Sequence, residues 1–265
     1  MILPATYQNG FAPRDGQPLY PSLWKGCVGA WNPGLGPSGL TLRDQSGFGR
    51  HGTLTNGPTW EANQGQYAIN FDGTNDYVSC PAFARGTGAQ SSVSFSAWIR
   101  HAVSGYGITF WCNSTTGFIH YSGTTGLAQR VYIGGTPQPG LNSSTFLTVG
   151  RWHHIGFIYA NTTVSFYLDG RLDGTAVGVA DPAFGTAVQH IGGTGGVETL
   201  NGKLSSLMFH NRALSPDEIR LLATRRGIAY EMAPRRRSSV QVTVAPLRYN
   251  LFSGSIGNTD VIGAS

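Results

Sequence analysis

The chain has 265 residues, of which 38 are glycine and only 12 % are charged, so glycine stands at about twice its usual share and charge at about half. With 40 % hydrophobic and 11 % aromatic residues, this composition excludes a coiled coil, a charge-rich disordered chain and, for want of a three-residue glycine period, collagen. The net charge of +5 is uneven: residues 1–211 hold ten Lys/Arg against nine Asp/Glu, and residues 212–265 hold eight Arg against four acids.

Residues 1–25 contain Pro4, Pro13, Pro18 and Pro21 with little periodicity, which predicts an extended arm, because proline fixes φ and removes a backbone donor. No basic stretch followed by an apolar one opens the chain, so no signal peptide is expected. No apolar run is long enough to span a membrane. Strands are predicted at 27–31, 67–71 and 75–80. Val93, Phe95, Ala97 and Ile99 alternate with Ser94, Ser96, Trp98 and Arg100, the period of a half-buried strand. Further strands are predicted at 107–112, 117–121, 130–133 and 152–160. Val164, Phe166 and Leu168 form another, closed by the Asp169-Gly170 turn signal. The last two lie at 188–192 and 204–210. Short strands at this spacing fit a sandwich or jelly roll rather than βαβ units.

One helix is predicted over about 216–224. Ser215-Pro216-Asp217-Glu218 supplies a capping Ser, a Pro at the first helical position and a Glu that completes a capping box. Leu214 and Ile219 are spaced as a hydrophobic staple, Arg225 and Arg226 complement the C-terminal dipole, and Gly227 stops the helix. After it come the run Arg235-Arg236-Arg237, an alternating stretch at Val240, Val242 and Val244, and a small, polar ending over 253–265. The expected organisation is an N-terminal arm over 1–25, a jelly-roll domain over 26–227 and an Arg-rich C-terminal arm over 228–265.

Four segments, in order, carry a family resemblance. The first is Trp31 followed by Asp44-Gln45-Ser46-Gly47-Phe48-Gly49-Arg50-His51-Gly52-Thr53-Leu54. The second is Ala68-Ile69-Asn70-Phe71-Asp72-Gly73-Thr74-Asn75-Asp76-Tyr77-Val78. The third joins Phe95-Ser96-Ala97-Trp98-Ile99 to Gly150-Arg151-Trp152-His153-His154-Ile155 and Phe166-Tyr167-Leu168-Asp169-Gly170. The fourth runs from Ile191-Gly192-Gly193 through Gly202-Lys203-Leu204 to Asn211-Arg212-Ala213-Leu214-Ser215-Pro216-Asp217-Glu218-Ile219. Together they resemble the laminin-G-like jelly-roll (concanavalin A-like lectin/glucanase) family, of the kind found in phage structural proteins. The resemblance covers about residues 26–224. It implies an all-β, two-sheet antiparallel sandwich with one short C-terminal helix between the two arms, used in binding or adhesion.

The resemblance also implies a structural calcium, for which Asp44, Asp72 and Asp76 are the candidates. Related domains often add an acidic pair where this chain has Ser205 and Ser206, so turn-capping by these aspartates is the preferred reading. Laminarinase-type jelly rolls hydrolyse glycans with closely spaced carboxylates. The four Glu here (Glu61, Glu198, Glu218 and Glu231) form no such pattern, and no enzyme is expected. His153 and His154 are neighbours on a strand and point to opposite faces. Cys27, Cys80 and Cys112 lack disulfide or zinc spacing and are expected to be small core residues. Tyr106, Trp111, Tyr121 and Tyr132 form a candidate glycan platform. Arg225, Arg226, Arg235, Arg236 and Arg237 are candidates for binding a partner. No nucleic-acid fold accompanies them, so the expected partners are other virion proteins and a second copy of the chain. The expected function is a non-enzymatic structural protein of a virus (phage) particle, made in the host cytoplasm: a decoration or cement protein or a tail-fibre part, held by its arms. The alternative is a carbohydrate-binding module of a cell-surface protein.

Overall fold

The computed structural model describes residues 18–82, 92–103, 107–112, 116–123, 126–133, 136–179, 188–194 and 199–232, and between 107 and 142 chiefly the backbone. The strands are β1 (Cys27–Trp31), β2 (Thr41–Leu42), β3 (Gly52–Thr55), β4 (Thr59–Asn63), β5 (Gln66–Asp72), β6 (Tyr77–Cys80), β7 (Val93–His101), β8 (Gly107–Cys112), β9 (Thr116–Gly123), β10 (Gly126–Ile133), β11 (Thr136–Asn142), β12 (His153–Ala160), β13 (Thr163–Leu168), β14 (Arg171–Ala176), β15 (Gln189–Ile191) and β16 (Asn201–His210), followed by the helix α1 (Pro216–Leu222). They form two antiparallel sheets. The first has the order β14-β13-β12-β7-β16-β5-β4, with β1 also paired to β16; the second has the order β11-β10-β9-β8-β15-β6-β3-β2. This is the expected two-sheet jelly roll with one short helix.

The alternating apolar residues of facing strands fill the space between the sheets. Phe95 of β7, Phe110 of β8 and Phe209 of β16 meet there, with ring centroids 5.2, 5.4 and 6.4 Å apart, spacings at which tilted aromatic pairs attract. The β13–β14 hairpin turns at Asp169 and Gly170, whose φ values are +49° and +80°. Both central residues of a type I′ turn need positive φ, which is why Asp-Gly suits it. Gly192 has φ +83°, and a Cβ there would lie 2.2 Å from the Phe71 ring, so only glycine lets the loop close over the core.

The helix cap forms as predicted: Glu218 N donates to Ser215 Oγ (3.2 Å) and Ser215 N donates to Glu218 Oε2 (2.9 Å). Arg212 adds a two-pronged ion pair to Glu218, each bond 2.7 Å. Gly227 follows the helix in the left-handed conformation.

Three features differ from expectation. First, β7 is not half-buried: Ser94 and Ser96 are fully buried as well as Phe95 and Ala97. The segment leading into α1 lies on that face, where Ser94 Oγ donates to Arg212 O and accepts from Leu214 N. Second, residues 18–25 are part of the body rather than an arm. A 3-10 turn at Pro21–Trp24 buries Leu23 and Trp24, Trp24 Nε1 donates to Ala229 O (2.8 Å), and Pro18 forms an antiparallel bridge with Met232. The body therefore extends past residue 228 as well, since Ile228 and Ala229 are buried in the same cluster. Third, β2, β3, β4, β11 and β14 were not foreseen. Pro137 and Pro139 disguise β11, which is an edge strand and can lack backbone donors. Residues 1–17 and 233–265, including Arg235–Arg237 and the Val240–Val244 stretch, lie outside the described residues.

Candidate functional site

Asp44 holds the first loop of the family motif together. Its Oδ1 accepts from Ala30 N (3.0 Å) and Ser46 N (2.8 Å), and its Oδ2 from Ser46 Oγ (2.7 Å) and Arg50 N (2.9 Å). Four donors on a buried carboxylate leave it no oxygen free for a cation. Asp72 Oδ1 accepts from Thr74 N (2.7 Å) and Asp76 Oδ2 from Asp72 N (3.0 Å). Asp76 Oδ1 is buried without a partner, and burial raises the pKa of this carboxyl. With Asp72 Oδ2, two carboxylate oxygens of this set are without a hydrogen bond among the described residues, against the six to eight oxygens that calcium takes. Ser206, at one of the positions where relatives carry acids, is engaged with Asn32 Oδ1 and Gly227 N. Among the described residues, no three His, Cys, Asp or Glu side chains converge on a metal position. Asp44, Asp72 and Asp76 act here as loop caps through these hydrogen bonds.

The other polar candidates are also used internally. His153 Nδ1 lies 2.9 Å from Asp169 Oδ2, and its Nε2 accepts from Thr148 N at 3.0 Å. Burial pushes the Asp169 carboxyl up, but bonds from His153 and from the His154 backbone outweigh this and hold it below its ordinary value. His154 is buried, which lowers it to about 3. Cys27 and Cys80 are buried thiols, raised by burial; the Cys112 side chain lies outside the described residues. Arg225 pairs with Glu231 at 2.5 Å. Arg226, expected to face a partner, folds inward instead: its guanidinium lies 4.3 Å from the Trp152 ring centroid, and Nη2 donates to Asn63 O (2.7 Å).

Of the aromatic candidates, Tyr106 lies outside the described residues. The backbone of the others falls within the second sheet. Register sets Thr53 beside Ser79, Ser79 beside His190, His190 beside Trp111, Trp111 beside Gly117 and Gly117 beside Tyr132. Tyr121 lies on β9, paired with Ala128. The side chains of Trp111, Tyr121 and Tyr132 lie outside the described residues. Along this row Thr53 is exposed and Ser79 and His190 are half-buried, and the His190 ring stands 5.0 Å from Tyr77, edge to face. Burial lowers the His190 pKa, partly offset by a hydrogen bond with the Thr194 backbone.

The structure also forms two clefts that sequence reading missed. They flank the 3-10 turn at Pro33–Leu35 and share Asn32 and Leu35. The first, about 280 Å³, has Trp60, Leu35 and Pro37 as apolar walls and Arg43, Gln45 and Ser38 as polar ones. Trp60 is fixed by its Nε1–H, which donates to Gly39 O at 2.7 Å, while the Arg43 and Gln45 side chains make no hydrogen bond among the described residues. The second, about 370 Å³, is lined by Gln66, Arg225, Arg226, Tyr230 and Glu231 beside the shared residues. Trp60 lies on β4, between Pro58 and the Gln64-Gly65 turn; an isolated Trp in a short polar strand is the only signal that could have drawn attention to it.

Solved structures show the same fold at low identity. A Trypanosoma rangeli sialidase bound to 2,3-difluoro-KDN aligns with a TM-score of 0.54 and 18 % identity over 75 % of this chain and 32 % of that one. The present chain thus spans about a third of the sialidase's length. Domain 4 of AbnA, a GH43 extracellular arabinanase from Geobacillus stearothermophilus, in complex with arabinotriose, aligns at 0.59 and 15 % over 79 % and 99 % of the two chains. The binding domain of Botulinum neurotoxin DC in complex with SialylT aligns at 0.57 and 10 % over 76 % and 52 %. No curated sequence matches the chain. A family model matches residues 72–220, from the end of β5 into α1, and the chain belongs to the concanavalin A-like lectin/glucanases superfamily.

Proposed function

We propose that this lectin-like domain is a non-catalytic carbohydrate-binding module that takes a sugar against Trp60. The observation that carries this reading is the first cleft, where one fixed indole lines the same space as Arg43 and Gln45, whose side chains make no hydrogen bond among the described residues. A sugar ring offers an apolar face to an aromatic wall and hydroxyls to surrounding polar groups. The solved neighbours in complex with KDN, arabinotriose and SialylT are consistent with it. The absence of catalysis is part of the proposal. Its support is that Glu61 pairs with Lys203, Glu218 caps α1 and Glu231 pairs with Arg225, which leaves no described glutamate poised as a free acid or base. Glycan-array screening followed by calorimetry tests the reading. Trp60→Ala is expected to weaken binding at least about tenfold, the loss of one stacking contact. An array blank for every oligosaccharide, or a Trp60→Ala variant that binds like the parent, would overturn it. Trp111→Ala distinguishes the row on the second sheet.

We also propose, as a second reading, that the domain serves as a decoration or fibre component of a virus particle. The specific observation is that the two ends of the body meet. Pro18 bridges Met232, and Leu19 N donates to Glu231 O (2.7 Å), so the first and last described residues of the body are paired on one bridge. Mass spectrometry of purified particles that finds no trace of the chain would sink this reading.

A further inference from the structure

We infer that the second cleft is an anion subsite of the same ligand: it takes the carboxylate of an acidic sugar unit against Arg226, next to the sugar held on Trp60. The inference rests on the carbohydrate-binding reading and adds the ligand's charge.

The starting point is an uncompensated cation. Arg226 is only 9 % exposed, yet among the described residues it has no acidic partner, and its Nη1 has no hydrogen bond. Arginine is almost never buried this deeply unless paired. Stacking on Trp152 and the bond to Asn63 O offset part of the desolvation, but neither supplies a negative charge.

The guanidinium is also held in place before any ligand arrives. Trp152 Nε1 donates to Asn63 Oδ1 (2.7 Å), which fixes the ring beneath the guanidinium, and Gln66 Nε2 donates to Arg226 O (3.2 Å), which fixes the backbone. Nη2 is already engaged by Asn63 O, so the donor left for a carboxylate is the buried, unbonded Nη1, a charge-assisted contact that a small side-chain shift would open to the cleft. Gln66 Oε1 lines the same cleft, buried and without a partner; it can accept from a sugar hydroxyl but not from a bare anion. The one carboxylate at this cleft, Glu231, is already neutralised by Arg225.

Size and continuity complete the case. A cleft of about 370 Å³ is at the small end of ligand sites, appropriate to one sugar unit. Because the two clefts share Asn32 and Leu35, one oligosaccharide can occupy both across the Pro33–Leu35 turn.

The test is calorimetry on the full chain. The ligands are a tetragalacturonate, a tetramannuronate and a hyaluronan tetrasaccharide, each alone and as its methyl ester, with a sulfated carrageenan tetrasaccharide alongside. At least one acid is expected to bind about tenfold or more tighter than its own ester, and because Arg226 is buried much of that gap should persist as salt rises, where contacts to exposed cations would fade. Arg226→Gln should erase that preference, so that acid and ester bind alike. Acids and esters that bind alike, or an Arg226→Gln variant that keeps the preference, overturn the inference. Equal preference for the sulfated probe overturns the carboxylate assignment. If Arg226→Gln does not fold, Arg226→Lys, which keeps the charge but not the planar fork, is measured instead beside Arg43→Gln; an acid preference lost in Arg43→Gln and kept in Arg226→Lys overturns the inference. If neutral oligosaccharides bind and no acid is preferred, the subsite fails while the Trp60 reading stands. If nothing binds, the Trp60 reading itself fails.

Discussion

The two sheets treat their outer faces in opposite ways. The first sheet has a second apolar cluster on its outside, where Ile158 and Met208 of the strands pack against Leu23, Trp24, Ile219, Leu222 and Ile228 from the helix and the terminal turns. Its central strands are accordingly buried on both sides, as β12 is over nearly its whole length, while the edge strands β4 and β14 stay largely open. The second sheet keeps Thr53, Ser79 and His190 exposed or half-exposed along one row, and among the described residues no helix packs on it. Burial on two faces makes the first sheet the part that bears the stability. The second is left with a polar, partly aromatic surface that costs little to alter.

The largest expected effect follows from the covered face. Trp24 is 5 % exposed, donates to Ala229 O and stands edge-on to Tyr230 with centroids 5.3 Å apart. Trp24→Ala should cost about 4 kcal/mol in denaturant unfolding. A loss below about 1 kcal/mol would mean that this cover is not integral to the fold.

Next comes pH. Burial lowers His210 to about 4 and His154 to about 3 from the ordinary 6.5. Both stand on the first sheet, and His210 Nε2 bonds Leu23 O at 2.8 Å, tying the cover to the strand. The folded state resists protonation that the unfolded chain accepts. The stabilisation is therefore complete above about pH 6.5 and falls as pH drops toward 4, with each histidine contributing at most about 1.4 kcal/mol per pH unit. Urea midpoints at pH 7.5 and 5 should differ, and His210→Asn should flatten the difference. Unchanged midpoints would show that these rings are not buried neutral.

The smallest effect belongs to the open face. Ser79→Ala should change stability by less than about 0.5 kcal/mol, and a larger loss in thermal melting would show that this face is covered after all.

Legibility followed the same division. The Leu214–Ile219 staple, the capping box and the Asp169-Gly170 turn were readable because each is a local rule with all of its partners within a few residues. The alternation in β7 correctly identified the inward residues but could not show that Ser94 would be capped by Arg212 O and Leu214 N, about 120 positions away. The clefts are further out of reach. Asn32, Gln66 and Arg226 line one cleft because β1 and β5 both lie beside β16, and the chain after α1 returns to Asn63 and Gln66.

Most of the strands, the turn chemistry, the helix and the family likeness were thus determined by the sequence itself, because period and local hydrogen bonding depend on near neighbours. Which faces are buried, that residues 18–25 belong to the body, that Asp44 spends its carboxylate on four backbone and hydroxyl donors, and that Arg226 turns inward without a counter-charge were decided only by tertiary structure. Each of these depends on the environment that distant segments create when they pack, and no local pattern encodes that environment.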